Sequence, residues 1–207
     1  MKNSGKRRFM FMIVLFVFIA IVSVWFDPRV AVSMNNLRTD FLSSFFLNFG
    51  SLGTIAILLI ILTAVFFQQR KKEMILPLWF AAGLSAAISF FLKILVQRPR
   101  PFQLGFISLI DSVGKASYST WDFSFPSFHT MIAFAVVPFL DKEFPKFKYV
   151  WIALAVIIGF SRMYLGLHFL SDVVSGGLIG YIIGVLVVES EKENKFWART
   201  YGKIFRR

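Results

Sequence analysis

Cysteine is absent from this 207-residue sequence, and only two histidines occur, His129 and His168. The lack of cysteine excludes disulfides, thiolate metal sites and a cysteine nucleophile. Charged residues are also scarce, at 16% of the chain, whereas 57% of the residues are hydrophobic and 27 are phenylalanine. Soluble domains need more polar residues to cover their surface. The composition therefore excludes an ordinary soluble domain.

The apolar residues occur in runs that are long enough to cross a lipid bilayer. They predict one all-α integral-membrane domain over residues 1–207. It would have six transmembrane helices, at residues 9–26, 52–67, 74–96, 127–140, 149–165 and 169–188. The fourth run is short for a span, so it either tilts or begins at the membrane surface with a buried end.

The net charge of +12 could suggest nucleic-acid binding, but the placement of the basic residues favours a membrane topology. Most of the 23 lysines and arginines precede the first predicted span, lie between the second and third or the fourth and fifth, or follow the sixth. Such segments lie on the cytoplasmic side in multi-pass proteins. We therefore expect a cell-membrane protein with both termini in the cytoplasm and with lipid as its partner. We expect no nucleic-acid partner and no obligate protein partner.

The remaining basic residues lie on the outer side or near the outer ends of the predicted spans, where the topology rule does not explain them: Arg29, Arg38, Lys93, Arg98, Arg100, Lys115 and Arg162. The outer segment 27–51 contains Asp27 followed by proline, a pattern typical of a helix start. Phe41 and Phe45 continue a four-residue repeat there, which predicts a short amphipathic helix in the outer interface. Ordinary packing on top of the bundle is an equally good interpretation.

The two histidines lie near the outer ends of predicted spans, each with polar neighbours. Asp172 follows His168 by four residues, so both can lie on one helix face. A carboxylate that accepts from one ring nitrogen leaves the other as a nucleophile. A hydrogen-bonded pair that joins two helices explains this spacing equally well. Arg162 precedes His168 by six residues, across an expected turn at Gly166, and could hold phosphate oxygens in a bidentate manner.

Ser127 and His129 begin the fourth predicted span, where free N–H groups and the helix dipole favour an anion. His129 could donate a proton to a leaving oxygen, although a capping serine beside an interfacial histidine is the simpler interpretation of this segment alone. Lys93 and Arg100, seven residues apart, add two cations at the same end. Arg98 is a weaker candidate that could simply face lipid headgroups.

Together these residues predict an anion site with a nucleophile, an acid and charge stabilisers. Two histidines, one nearby aspartate and several cations would make a poor metal site, so we expect no metal and no cofactor.

Three motifs in this order and spacing resemble the signature of the type-2 phosphatidic acid phosphatase superfamily. They are Lys93 to Arg100-Pro101, then Pro126-Ser127-Phe128-His129, then Ser161-Arg162 to His168 and Asp172. Within it, the chain is similar to bacterial phosphatidylglycerophosphatase B and undecaprenyl diphosphate phosphatases.

The resemblance implies a metal-independent lipid phosphatase. His168 would form a phosphohistidine, Asp172 would orient it, and His129 would protonate the leaving group. The phosphoryl oxygens would be bound by Lys93, Arg100, Ser127, Arg162 and the backbone N–H of Phe128.

Phosphatidylglycerol phosphate, phosphatidic acid and undecaprenyl diphosphate are the candidate substrates, and the resemblance places the first of them highest. The charge pattern places the site on the outer side of the membrane, which favours undecaprenyl diphosphate as a further substrate. Phe128 replaces a glycine that the family usually has, which leaves the shape of the pocket open. Two other functions remain compatible with the sequence: a phosphotransferase that uses the same phosphohistidine, and a non-catalytic lipid-binding or transport protein.

Overall fold

The computed structural model describes residues 3–49, 52–108, 110, 123–194, 196–197 and 199–200, and Lys115 lies outside them. These residues form helices named here α1 (Asn3–Asn36), α2 (Asp40–Phe49), α3 (Leu52–Gln68), α4 (Ile75–Val96), α5 (Phe128–Glu143), α6 (Lys148–Tyr164) and α7 (Leu170–Asn194). Short 3₁₀ turns, Lys72–Met74 and Pro145–Phe147, lead into α4 and α6. The predicted all-α class is confirmed, since no strand occurs in the described ranges.

Four helical segments of the described chain are long and apolar enough to cross a membrane: Ile13–Asn36, Lys72–Val96, Pro145–Tyr164 and Leu170–Glu191. The bent pair formed by α2 and α3 would make a fifth. The helix α5, with 16 residues, is the short run noted in the sequence. The chain is thus a multi-pass membrane protein, whereas the number of six spans stays a prediction.

The helix start predicted at Asp27 is wrong, because α1 continues through Pro28 to Asn36. A proline inside a helix costs one backbone hydrogen bond, and membrane helices tolerate this where neighbours satisfy the freed groups. The carboxylate of Asp27 is buried and paired with Arg98, and it does not mark the start of a helix in its own segment. The short helix of this segment, α2, begins instead at Asp40, and Phe41 is exposed.

The helices α5 and α7 form the closest packing in the bundle, through glycines spaced four residues apart on one face of α7. A Cβ atom at Gly180 would lie 1.9 Å from the carbonyl oxygen of Met131, and one at Gly176 would lie 2.7 Å from the carbonyl oxygen of Ser127. Small residues at such positions let two membrane helices approach through their backbones. This contact places the start of α5 beside the start of α7.

The polar contacts divide the bundle into two ends. At one end, Lys71 forms an ion pair with Glu143, joining the segment that precedes α4 to the last residue of α5. At the other end, Arg98 forms ion pairs with Asp27 and Asp172, joining the chain after α4 to α1 and α7. Segments that the charge pattern assigns to the same side of the membrane are therefore adjacent in the fold.

Candidate active site

The structure places the predicted site residues at one end of the bundle. Lys93 lies in the last turn of α4, Arg162 lies in the last turn of α6, and Asp172 lies in the first turn of α7. The others lie in the segment after α4, at the start of α5 and in the turn between α6 and α7: Arg100, Ser127, Phe128, His129 and His168. Four separate segments of the chain therefore contribute to one site.

The two imidazoles and three cations lie close enough to influence one another. His129 interacts electrostatically with Arg162, His168, Arg100 and Lys93. Arg100 and Arg162 are buried, with 4% of each residue exposed. Positive charges that are removed from water act strongly on an anion. The arrangement therefore suits a phosphate group held among the guanidinium and ammonium groups.

His168 is buried in the turn between α6 and α7. The turn predicted at Gly166 is present, since this glycine has φ +76°. The ring atom Nδ1 lies 2.7 Å from the carbonyl oxygen of Ser124. Because a carbonyl oxygen can only accept, Nδ1 carries the proton and Nε2 carries the lone pair. Burial lowers the pKa of His168 to about 3. The imidazole is therefore neutral at physiological pH, as a nucleophile must be.

Asp172 is fully buried beside this ring, but its contact differs from the expected one. Its Oδ2 atom lies 3.8 Å from His168 Nδ1 and accepts hydrogen bonds from the Ser124 hydroxyl and from the backbone N–H of Phe169. The helix α7 begins at Leu170, so His168 lies in the preceding turn and the pair does not share a helix face. Asp172 thus acts on the ring by charge and through Ser124.

The start of α5 supplies backbone donors. Ser127 is extended and buried, and its N–H donates to the Asp172 carbonyl oxygen over 3.1 Å. The hydroxyl groups of Ser127 and Thr130 are hydrogen-bonded over 2.9 Å. The N–H groups of the next residues belong to the first helical turn, which has no intrahelical acceptors for them. They are suited to bind an anion.

Phe128 is the first residue of α5, so the backbone there is helical and needs none of the left-handed freedom that glycine would provide. Its ring packs against the hydrophobic core and stands edge-on to the His129 ring, with 5.7 Å between the ring centroids. The extra bulk relative to glycine is thus directed into the core. It also buttresses the second imidazole of the site.

The chain after α4 does not continue as a helix to Arg100. The helix α4 ends at Val96, and Gln97 adopts a left-handed conformation with φ 50°. Lys93 donates a hydrogen bond to the carbonyl oxygen of Phe123, and Arg100 Nη1 donates to the carbonyl oxygen of Leu167 over 2.7 Å. Each cation is therefore tied to a residue adjacent to Ser124 or His168.

Sequence reasoning underrated Arg98 and misassigned Asp27. Arg98 was the weaker candidate, one that could simply face lipid headgroups, but Nη1 lies 2.7 Å from Asp172 Oδ1 and Nη2 lies 2.6 Å from Asp27 Oδ2. A carboxylate in an apolar helix needs a partner, and this was the one available signal for Asp27. The contribution of the Ser124 carbonyl group has no signal in the sequence, because every residue has a backbone carbonyl.

Comparison with known proteins gives a consistent result. Phosphatidylglycerophosphatase B of Bacillus subtilis is 34% identical over 141 residues, which cover 63% of this chain and 64% of that protein. Lipid A 4'-phosphatase of Porphyromonas gingivalis is 27% identical over 169 residues, covering 78% of this chain and 71% of that protein. The chain thus spans just under two thirds of the first relative's length.

Among solved structures, a transmembrane PAP2-type phosphatidylglycerolphosphate phosphatase from Bacillus subtilis superposes with a TM-score of 0.69 at 28% identity. The match covers 88% of this chain and 97% of that one. The model of the PAP2 superfamily matches residues 74–196, which include every site residue predicted from the sequence but not Asp27. The chain therefore belongs to the PAP2 superfamily.

Proposed function

We propose that this protein hydrolyses a phosphomonoester or diphosphate on a membrane lipid through a phosphohistidine on His168. The observation that carries this proposal is the neutral, buried imidazole of His168, with its lone pair on Nε2, in a site that also holds His129 and three cations. Relatives that are named phosphatidylglycerophosphatase B and lipid A 4'-phosphatase support this proposal.

In the first step, the Nε2 lone pair of His168 forms a bond to phosphorus, and the bond from phosphorus to the lipid oxygen breaks. The departing oxygen takes the electron pair of that bond and a proton from His129. In the second step, His129 removes a proton from water, whose oxygen attacks phosphorus. The N–P bond breaks, its electrons return to Nε2, and inorganic phosphate leaves.

Charge stabilisation comes from groups around the phosphorus atom. Lys93, Arg100 and Arg162 would bind the non-bridging oxygens, together with the hydroxyl of Ser127 and the N–H of Phe128. These donors lie at the ends of three helices, α4, α5 and α6, and in the segment after α4, so they need little rearrangement as negative charge develops. Because cations perform this task, we propose that the reaction needs no metal ion.

The substrate we propose first is phosphatidylglycerol phosphate, because that lipid is in the names of a relative and of a solved structure that match the chain. Undecaprenyl diphosphate, phosphatidic acid and lipid A are the other arms of the test. Purified protein in detergent would be given each lipid at equal surface concentration, and released phosphate would be measured. The highest kcat/KM with a lipid other than phosphatidylglycerol phosphate would contradict this assignment.

The same assay tests metal independence. We expect phosphate release to be unchanged within about twofold when a chelator such as EDTA is present, because the phosphoryl charge is met by protein cations. Among the described residues, no group of three or more histidine and carboxylate side chains converges to bind a metal. A large loss of activity in EDTA that Mg²⁺ or Zn²⁺ restores would argue for a metal-assisted reaction.

We propose that the site faces the outer side of the membrane, and the cysteine-free chain allows a direct test. Gln103, near the site, and Lys146, at the opposite end, are both exposed. A membrane-impermeant maleimide should label Gln103→Cys in intact cells, and should label Lys146→Cys only after permeabilisation. The reverse pattern would place the site in the cytoplasm.

A further inference from the structure

We propose that Asp27 and Arg98 are positioning residues for the nucleophile. They would act through Asp172, setting its orientation and the net charge that His168 experiences. The inference rests on the proposed function, in which His168 attacks phosphorus. It concerns two residues that lie outside the set expected to touch the phosphate.

Arg98 contacts two groups that lie beside the His168 ring, the carboxylate of Asp172 and the backbone of Ser124. Its side chain donates from Nη1 to Asp172 Oδ1 over 2.7 Å, which leaves Oδ2 of that carboxylate for the Ser124 hydroxyl. Its backbone carbonyl accepts from the N–H of Ser124 over 2.8 Å, and the Ser124 carbonyl is the acceptor for His168 Nδ1. The guanidinium also stacks on the ring of Phe169, 4.2 Å from its centroid. Side chain and backbone of one arginine thus fix the segment against which the imidazole rests.

Asp27 connects this arginine to the first helix. Its Oδ2 accepts from Arg98 Nη2 over 2.6 Å and from the hydroxyl of Ser171 over 2.5 Å. Its Oδ1 accepts from the backbone N–H of Ser171 over 2.9 Å. That N–H belongs to the first turn of α7, so Asp27 caps α7 from α1. The carboxylate is buried, with 2% of the residue exposed, and its hydrogen bonds give it one orientation.

The charges of this cluster explain why Asp27 would matter to the reaction, whereas Arg98 would act through the contacts that fix Asp172 and Ser124. Asp27 and Asp172 are acidic and Arg98 is basic, so the cluster has a net charge of −1 beside His168. Bond formation at Nε2 places positive charge on the imidazole, and a net negative neighbour stabilises it. Without the charge of Asp27, the cluster would be neutral, because Arg98 would offset Asp172. The nucleophile would then be less reactive without losing any contact to the phosphate.

Replacement of Asp27 by asparagine tests the charge while retaining the shape and an acceptor oxygen for Ser171. We expect kcat for the preferred lipid to fall about 10- to 100-fold, as for other residues that orient a reacting group without contacting the substrate. KM should stay within about twofold, because neither Asp27 nor Arg98 binds substrate. The rate at which labelled phosphate is transferred to His168 in a single turnover, measured by rapid quench into alkali, should fall by the same factor as kcat.

Glu143→Gln provides a matched control. Glu143 is also a largely buried carboxylate paired with a basic residue, Lys71, but the pair lies at the opposite end of the bundle. This substitution removes the same charge, and we expect it to leave kcat and KM unchanged. Thermal unfolding in detergent would be measured for both variants, so that lost activity is compared at equal fraction folded.

A second variant keeps the inference testable if Asp27→Asn does not fold. Arg98→Lys retains the positive charge, but a single ammonium group cannot hold both carboxylates in the same geometry, so kcat should again fall with KM unchanged. Wild-type kcat in either folded variant, or a loss confined to KM, would overturn the role of Asp27 and Arg98. Absence of phosphohistidine in the wild-type protein would instead overturn the proposed function, so the two failures are distinguishable.

Discussion

Replacement of His168 by alanine should reduce phosphate release by about 10⁴- to 10⁶-fold in kcat, the range typical of a lost nucleophile. The reason is chemical, since this substitution removes the imidazole whose lone pair would attack phosphorus. Two measurements test this prediction. Steady-state phosphate release should reach background, and radiolabelled lipid phosphate should leave no label on the protein.

Replacement of His129 by glutamine is the informative comparison. The proton donor is lost but the nucleophile remains, so kcat should fall by about 10²- to 10⁴-fold. Label should still be transferred to His168, and it should persist for longer because His129 also activates the attacking water. Phosphate release by His168→Ala at the wild-type rate would contradict the mechanism. Label retained by His168→Ala but absent from His129→Gln would exchange the roles of the two histidines.

The helices were predictable from the sequence because each consists of local apolar runs. The run at 52–67 corresponds to α3, Leu52–Gln68, and the run at 74–96 corresponds to α4, Ile75–Val96. The first span was not predictable to the same extent. It was expected to end at residue 26, but α1 ends at Asn36. Asp27 followed by proline has the pattern of a helix start, and only the folded structure supplies Arg98 and Ser171 as its partners.

The sequence predicted that the candidate site residues lie together at one end of the bundle, but it did not predict their contacts. Spacing identified His168 and Asp172 as a candidate pair, because side chains four residues apart can contact each other on a helix. It could not identify the Ser124 carbonyl group as the acceptor for His168 Nδ1, 44 residues away along the chain. Nor could it pair Arg98 with Asp27, 71 residues away. Contacts at such separations depend on how α1, α4 and α7 pack.

Replacement of Gly180 by alanine should strongly destabilise the bundle. The added Cβ would lie 1.9 Å from the carbonyl oxygen of Met131 and 2.8 Å from its carbonyl carbon. Both are backbone atoms of α5, so no side-chain rotation can relieve the contact and the two helices must separate. Overpacking typically costs about 1 to 3 kcal/mol, and more where nothing can move. We expect a loss of about 3 kcal/mol or more in the free energy of unfolding, measured by denaturation in mixed micelles.

Gly83→Ala is the matched control, since Gly83 also lies in a membrane helix and no described heavy atom lies within 4 Å of a Cβ at this position. Alanine is the better helix former by about 1 kcal/mol, so this variant should be as stable as the wild type or more stable. The folded fraction of Gly180→Ala should also lose kcat. Separation of α5 from α7 would lengthen the bond between the Ser127 N–H and the Asp172 carbonyl, and move the first turn of α5 away from His168. Equal stability and activity of the two variants would show that the helices do not need this close approach to assemble the site.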